Sequence, residues 1–131
     1  SLRSPMAEAI IKYFFGKHIY VDSVSLRAGE PDGFMIEVMD EIGIDLSQHK
    51  SKTFENLEDI SFDVIISLSP EAQHRAVELT RNRACEVEFW NTFDPSLTEG
   101  NREARLNAYR QVRDGLMERL EDRFERPSRP I

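Results

Sequence analysis

The chain has 131 residues, with 17 Lys plus Arg against 24 Asp plus Glu, a formal net charge of −7 and a single cysteine. An acidic chain of this kind has no electrostatic case for binding nucleic acid or anionic lipid, and no apolar run approaches membrane-spanning length. The length fits one domain around one hydrophobic core over residues 1–131, with a tail from about Arg123 expected to fray. No signal peptide is visible, and one cysteine cannot form an internal disulfide, which fits a reducing cytoplasm.

In chain order, Met6, Ala9, Ile10, Tyr13 and Phe14 recur at helical spacing from Pro5 to about Phe15, and Gly16 supplies a C-terminal stop. His18 to Ser25 has the β-branched content of a strand. Pro31 to Ile42 reads as a second helix with Phe34, Met35, Val38, Met39 and Ile42 on one face, ended by Gly43. Ser47 to Asn56 reads as loop, with a helical turn near Glu55 to Asp59. Asp63 to Leu68 is an apolar run of the sort buried in a parallel sheet. A third helix over Pro70 to Arg81 and a short strand over Glu86 to Trp90 follow. From about Asn101, Leu106, Tyr109, Val112, Leu116, Leu120 and Phe124 step by three or four along a last, long helix. Strands alternating with helices predict a parallel α/β sheet with helices on both faces, whose ligands sit beyond the carboxyl ends of the strands.

The chemistry concentrates at the start. Pro5 suits the first position of a helix, because its φ is already set and its missing N–H would have been unpaired anyway. Arg3 offers a planar fork of donors at that helix N-terminus, where free backbone N–H groups and the dipole favour an anion. A phosphoryl or arsenate oxyanion fits such a place.

The run Arg3-Ser4-Pro5-Met6-Ala7-Glu8-Ala9 resembles the end of the Cys-x5-Arg-Ser loop of the low-molecular-weight protein tyrosine phosphatase family, which includes thioredoxin-coupled arsenate reductases. Val21-Asp22-Ser23 is similar to that family's second strand, and Gly43-Ile44-Asp45-Leu46-Ser47-Gln48-His49 to its Gly-Ile-Asp-x-x-x-His segment. Phe62 to Leu68 resembles the third strand, and Trp90-Asn91-Thr92-Phe93-Asp94-Pro95 the Asp-Pro loop. The resemblance implies a three-layer, doubly wound, parallel four-stranded sheet in the order 2-1-3-4. Six positions before Arg3 lies ahead of Ser1, so it also puts the nucleophilic cysteine, the first strand and half of the anion loop upstream of this chain. Without that strand the sheet would carry two open edges, which another segment or a homodimer would have to fill.

By the same resemblance, Arg3 binds two oxyanion oxygens and stabilises the charge of the transferring group. Ser4 steadies the thiolate as leaving group, although a serine before Pro5 also reads as a plain helix N-cap. Asp94, held extended by the proline after it, protonates the leaving oxygen and then activates water. Ser23 and His49 match positions that hold the anion loop's asparagine in its strained form. His18 and His74 match nothing and read as surface groups. No metal or other cofactor is implied, since no His/Cys/Asp cluster has ligand spacing.

Three departures narrow the activity. The segment Leu68-Ser69-Pro70-Glu71-Ala72-Gln73-His74 lacks the cysteines of the arsenate reductase relay, although the Trp90-x3-Asp94-Pro95 spelling looks more like that branch. Ser96 and Leu97 stand where the tyrosine phosphatase branch has tyrosines, and Leu2 where many members have a second cysteine. Cys85 reads as structural: no Arg-Ser helix start is near it, and flanking Glu86 and Glu88 would raise its pKa. Ala28 to Gly33 reads as a turn into a helix, and the Glu and Arg residues of the last helix as a solvated face. The leading expectation is a cysteine-dependent phosphomonoester hydrolase acting on a phosphorylated protein or small phosphomonoester. The alternatives are an arsenate reductase using an external thiol and a non-catalytic oxyanion or phosphopeptide binding module.

Overall fold

The structure, a computed structural model, describes residues 3–15, 24–25, 32–49, 52–53 and 63–124. Nine elements follow one another among them: α1 (Arg3–Phe15), β1 (Val24–Ser25), α2 (Gly33–Asp40), β2 (Lys52–Thr53), β3 (Val64–Ser67), α3 (Pro70–Leu79), β4 (Glu86–Phe89), a single 3-10 turn (Pro95–Leu97) and α4 (Arg102–Phe124). The expected α/β class with parallel pairing is what forms. β1 pairs with β2 and β3 with β4, both parallel, and no described strand joins the two pairs. The Ser47–Asn56 stretch is not all loop: Lys52 and Thr53 run alongside Val24 and Ser25, a pairing two polar residues could not announce.

Local chemistry sets the helix ends. α2 begins at Gly33 rather than Pro31, because Asp32 stays extended (φ −73°, ψ 132°) and its carboxylate takes the N–H groups of Phe34 and Met35. It ends in a turn closed by Gly43, whose φ of +83° suits a residue without Cβ. Ser69 caps α3 through Ala72, and Thr80 closes its far end by donating to the Ala76 carbonyl. Asn101 caps α4 by accepting from Ala104.

One core joins α1, α2 and α4, with Met6, Ile10, Met35, Val38, Met39, Leu106, Tyr109, Leu116 and Leu120 nearly or wholly buried. The face of α1 differs from expectation: Tyr13 and Phe14 are 60% and 50% exposed and meet each other edge-on, while Ile11 turns inward. The charged residues of α4 are also more than a solvated face. Arg110 and Arg113 both reach across to Glu41, and Arg113, itself buried, donates to the Val38 carbonyl 2.8 Å away. Those bonds tie α4 to the C-terminal end of α2. α3 packs on β3 and β4. The expected stop at Gly16, residues 18–23 of the first expected strand, the turn at 55–59 and the tail beyond Phe124 lie outside the described residues.

Candidate active site

The site is built on the segment that leaves β4. Trp90 donates its N–H to Ser67 O at 2.8 Å and Thr92 to Leu68 O at 3.0 Å, so residues 90–92 stay stitched to the carboxyl end of β3. The Thr92 hydroxyl donates to Trp90 O, which stiffens the same stretch. Into it reaches Arg3: its Nη1 donates to the Thr92 carbonyl at 2.6 Å. Parallel strands present their carboxyl ends to ligands, and Arg3 is anchored at that end.

Two residues on, Asp94 sits before Pro95 with an extended backbone (φ −89°, ψ 104°), as a residue preceding proline must. Its Oδ1 accepts from both the Ser96 N–H (3.0 Å) and the Ser96 hydroxyl (2.7 Å), which caps the 3-10 turn. Burial pushes the Asp94 carboxyl up, but the two Ser96 hydrogen bonds and the Arg3 charge outweigh it and hold it below the ordinary aspartate value. Asp94 is therefore ionised at neutral pH. Pro95 is buried against the core, and the turn packs on α4.

A third group closes the site from the α2 side. The Tyr109 hydroxyl, from α4, donates to Asp32 Oδ2 at 2.9 Å, while Asp32 Oδ1 caps α2. Burial, this hydrogen bond and the charges of Asp32 and Asp94 together push the phenol far up, so it stays protonated and a donor. Neither Asp32 nor Tyr109 carries a site signal in the sequence. Asp32 before Gly33 carried an N-cap signal, but its second bond, to a residue 77 positions away, carried none.

Of the residues expected at the site, the structure brings Arg3 and Asp94 into one electrostatic environment. Helix α1 already includes Arg3 and Ser4, so Pro5 is not its first residue and Ser4 lies inside the helix. That overturns the N-cap reading of Ser4, because a residue already in helical geometry cannot be the cap. His49 has a buried Nε2 with no hydrogen-bond partner among the described residues, and no described contact links it to Arg3 or Asp94. Ser23 and His18 lie outside the described residues, and His74 is exposed on α3 beside Glu78. The Cys85 thiol is indeed pushed up, but burial and Asp63 lead, Glu86 follows, and Glu88 instead holds Arg123 and the Trp90 ring N–H. Among the described residues no three His, Cys, Asp or Glu side chains gather as metal ligands, and no helix is long and apolar enough to cross a membrane.

Residues 1–126 match the family described as low molecular weight phosphotyrosine protein phosphatase. The chain belongs to that family. An arsenate reductase of Halalkalibacterium halodurans is 30% identical over 120 residues, covering 92% of this chain and 85% of its own length. A glutaredoxin arsenate reductase of Synechocystis sp. is 32% identical over 122 residues, 93% of this chain and 87% of its own. Among solved structures, an arsenate reductase in the phosphate binding state superposes with a TM-score of 0.72 at 29% identity, covering 96% of this chain and 90% of its own. A tyrosine phosphatase of Erwinia amylovora superposes with a TM-score of 0.77 at 17% identity over 97% of this chain and 86% of its own, a likeness of fold alone. The family carries a phosphatase description, while these sequence relatives are named for arsenate reduction.

Proposed function

We propose that this family member is a single-domain phosphomonoester hydrolase that uses a cysteine thiolate, the loop arginine Arg3 and the acid Asp94. The observation that carries the reading is the Arg3 Nη1 bond to Thr92 O, which brings a guanidinium to the segment bearing Asp94. The nucleophile is the cysteine that the family pattern sets six residues before Arg3, ahead of Ser1. Its sulfur attacks phosphorus, the phosphorus–oxygen ester bond breaks, and the leaving oxygen takes a proton from Asp94. Arg3 and backbone N–H groups hold the oxygens of the transferring group throughout, and Ser4 eases the later departure of the thiolate. Asp94, now ionised, takes a proton from a water whose oxygen attacks phosphorus; the phosphorus–sulfur bond breaks, the thiolate leaves and inorganic phosphate is freed. An ionised Asp94 before substrate arrives is compatible with this sequence. A substrate dianion arriving beside it raises its pKa by like-charge repulsion and loads the proton it must donate. Ser23 and His49 support the anion loop in this reading.

Arsenate reduction with electrons from an external thiol is the second reading, supported by the names of the relatives at about the same identity. The absence of cysteine from Leu68 to His74 speaks against an internal relay. The test is phenyl phosphate hydrolysis by the full-length protein, with and without chelator, beside arsenate reduction with added glutathione. Hydrolysis unaffected by chelator, falling by about 10²–10⁴ in Asp94→Ala and comparably in Arg3→Ala, is the expected result. Wild-type rates in both variants would overturn it. Thiol-dependent arsenate reduction without hydrolysis would favour the second reading, and oxyanion binding without either reaction a binding module.

A further inference from the structure

Most arginines of α4 are spoken for by carboxylates: Arg102 by Glu37, Arg110 by Glu41 and Glu103, Arg113 by Glu41 and Asp114, Arg123 by Glu88. Arg105 is not. Among the described residues it forms no ion pair, and its guanidinium lies 4.8 Å from the centre of the Phe34 ring. Arg119 also stacks, over Trp90 at 4.7 Å, but its charge is answered by nearby Glu88. The position of Arg105 matters. Phe34 is 5.4 Å, ring centre to ring centre, from Tyr109, whose hydroxyl holds Asp32 at the start of α2. The charges of Arg105 and Asp94 both act on that hydroxyl, and α4 packs on the turn that Asp94 caps.

We propose that Arg105 is a second anion-binding residue of the Arg3–Asp94 site, taking a carboxylate or similar acidic group on the organic part of the substrate. The inference rests on the phosphomonoesterase reading. Asp94 must touch the leaving oxygen to protonate it, so the organic part of an ester lies on the Asp94 side of the phosphorus, toward α4 and α2. A guanidinium stacked on a ring keeps its in-plane N–H edge for a bidentate acceptor, and one face is already shielded from water. Neither carboxylate whose charge acts on the Tyr109 hydroxyl pairs with Arg105 among the described residues. Asp32 is engaged by two backbone N–H groups and by Tyr109, and Asp94 Oδ1 by Ser96. Arsenate, having no organic part, would gain nothing from Arg105.

The test is calorimetric binding of phenylphosphonate and 4-carboxyphenylphosphonate to the full-length protein and to Arg105→Gln and Arg105→Lys. The wild-type protein is expected to prefer the carboxylated ligand by about tenfold, near the value of one charge-assisted hydrogen bond. Arg105→Gln should erase the preference and Arg105→Lys should keep part of it, both with unchanged affinity for phenylphosphonate, which also reports that the variants fold. Equal affinity of the wild-type protein for the two ligands, or a preference that survives Arg105→Gln, overturns the inference while leaving the Arg3–Asp94 site intact. Failure of the wild-type protein to bind either ligand overturns the site reading itself, and the inference with it.

Discussion

Arg3, at the first residue of α1, is bonded to the carbonyl of Thr92, 89 positions along the chain. That contact joins α1 to the segment that carries Asp94, and it depends on the geometry of a guanidinium as well as on its charge. Arg3→Lys keeps the charge and loses the fork that holds two oxygens in one plane. The expected outcome is at least about a tenfold loss in kcat/KM toward phenyl phosphate, with the fold unchanged. Steady-state kinetics beside circular dichroism check it.

Ser96 sets the acidity of Asp94. Both its hydrogen bonds go to Oδ1, and each favours the ionised carboxyl. Ser96→Ala removes the hydroxyl bond and leaves the backbone one, so the Asp94 pKa rises toward the ordinary aspartate value. Carbon-detected NMR titration of the Asp94 carboxyl reads the shift directly, and an unmoved or lowered value would contradict this role.

The Tyr109–Asp32 bond fastens α4 to the N-terminus of α2 beside the Asp94 turn. Tyr109→Phe keeps the ring in the core and deletes only the donor, leaving a carboxylate oxygen without it. A hydrogen bond to a charged group is worth about 1.5–3 kcal/mol, and the partly buried setting puts the loss near the lower end. Urea unfolding of the two proteins is the measurement, with equal midpoints as the contrary result.

At the other end of α2, the side-chain hydrogen bonds from Arg110 and Arg113 lower the Glu41 pKa to about 2, against some opposition from desolvation. A carboxylate whose folded value is depressed adds stability that is fully present above its unfolded value and lost as pH falls through the folded one. The contribution therefore fades between about pH 4.5 and pH 2. Glu41→Gln should lower stability at pH 7, flatten its decline in that acid window, and cost about 1 kcal/mol once solvent screening is allowed for. Unfolding midpoints measured from pH 7 to pH 2 test both the size and the sign.

Much of this was legible in the residues. The three-and-four spacing from Leu106 to Leu120 marks the buried face of α4, and the apolar run before Leu68 marks β3, because burial on one stripe or in one strand leaves a periodic trace. Arg3 and Asp94 were legible through the family pattern around them. What was not legible is pairing across space. β2 is two polar residues with no period, Asp32 meets Tyr109 from a distant element, and the arginines of α4 show their charge in sequence but not that Glu37, Glu41 and Glu88 receive them. Tyr13 and Phe14 fit a helical stripe that the packed core did not extend to cover.

The central claim is that Arg3 and Asp94 face one bound oxyanion. The most direct measurement is the Asp94 carboxyl pKa by NMR in the full-length protein, with and without saturating phenylphosphonate, repeated in Arg3→Ala. A dianion held between the two should raise the Asp94 value in the wild-type protein and leave it unmoved in the variant, which no longer captures the ligand. An Asp94 pKa that stays put while the ligand binds the wild-type protein would contradict the claim.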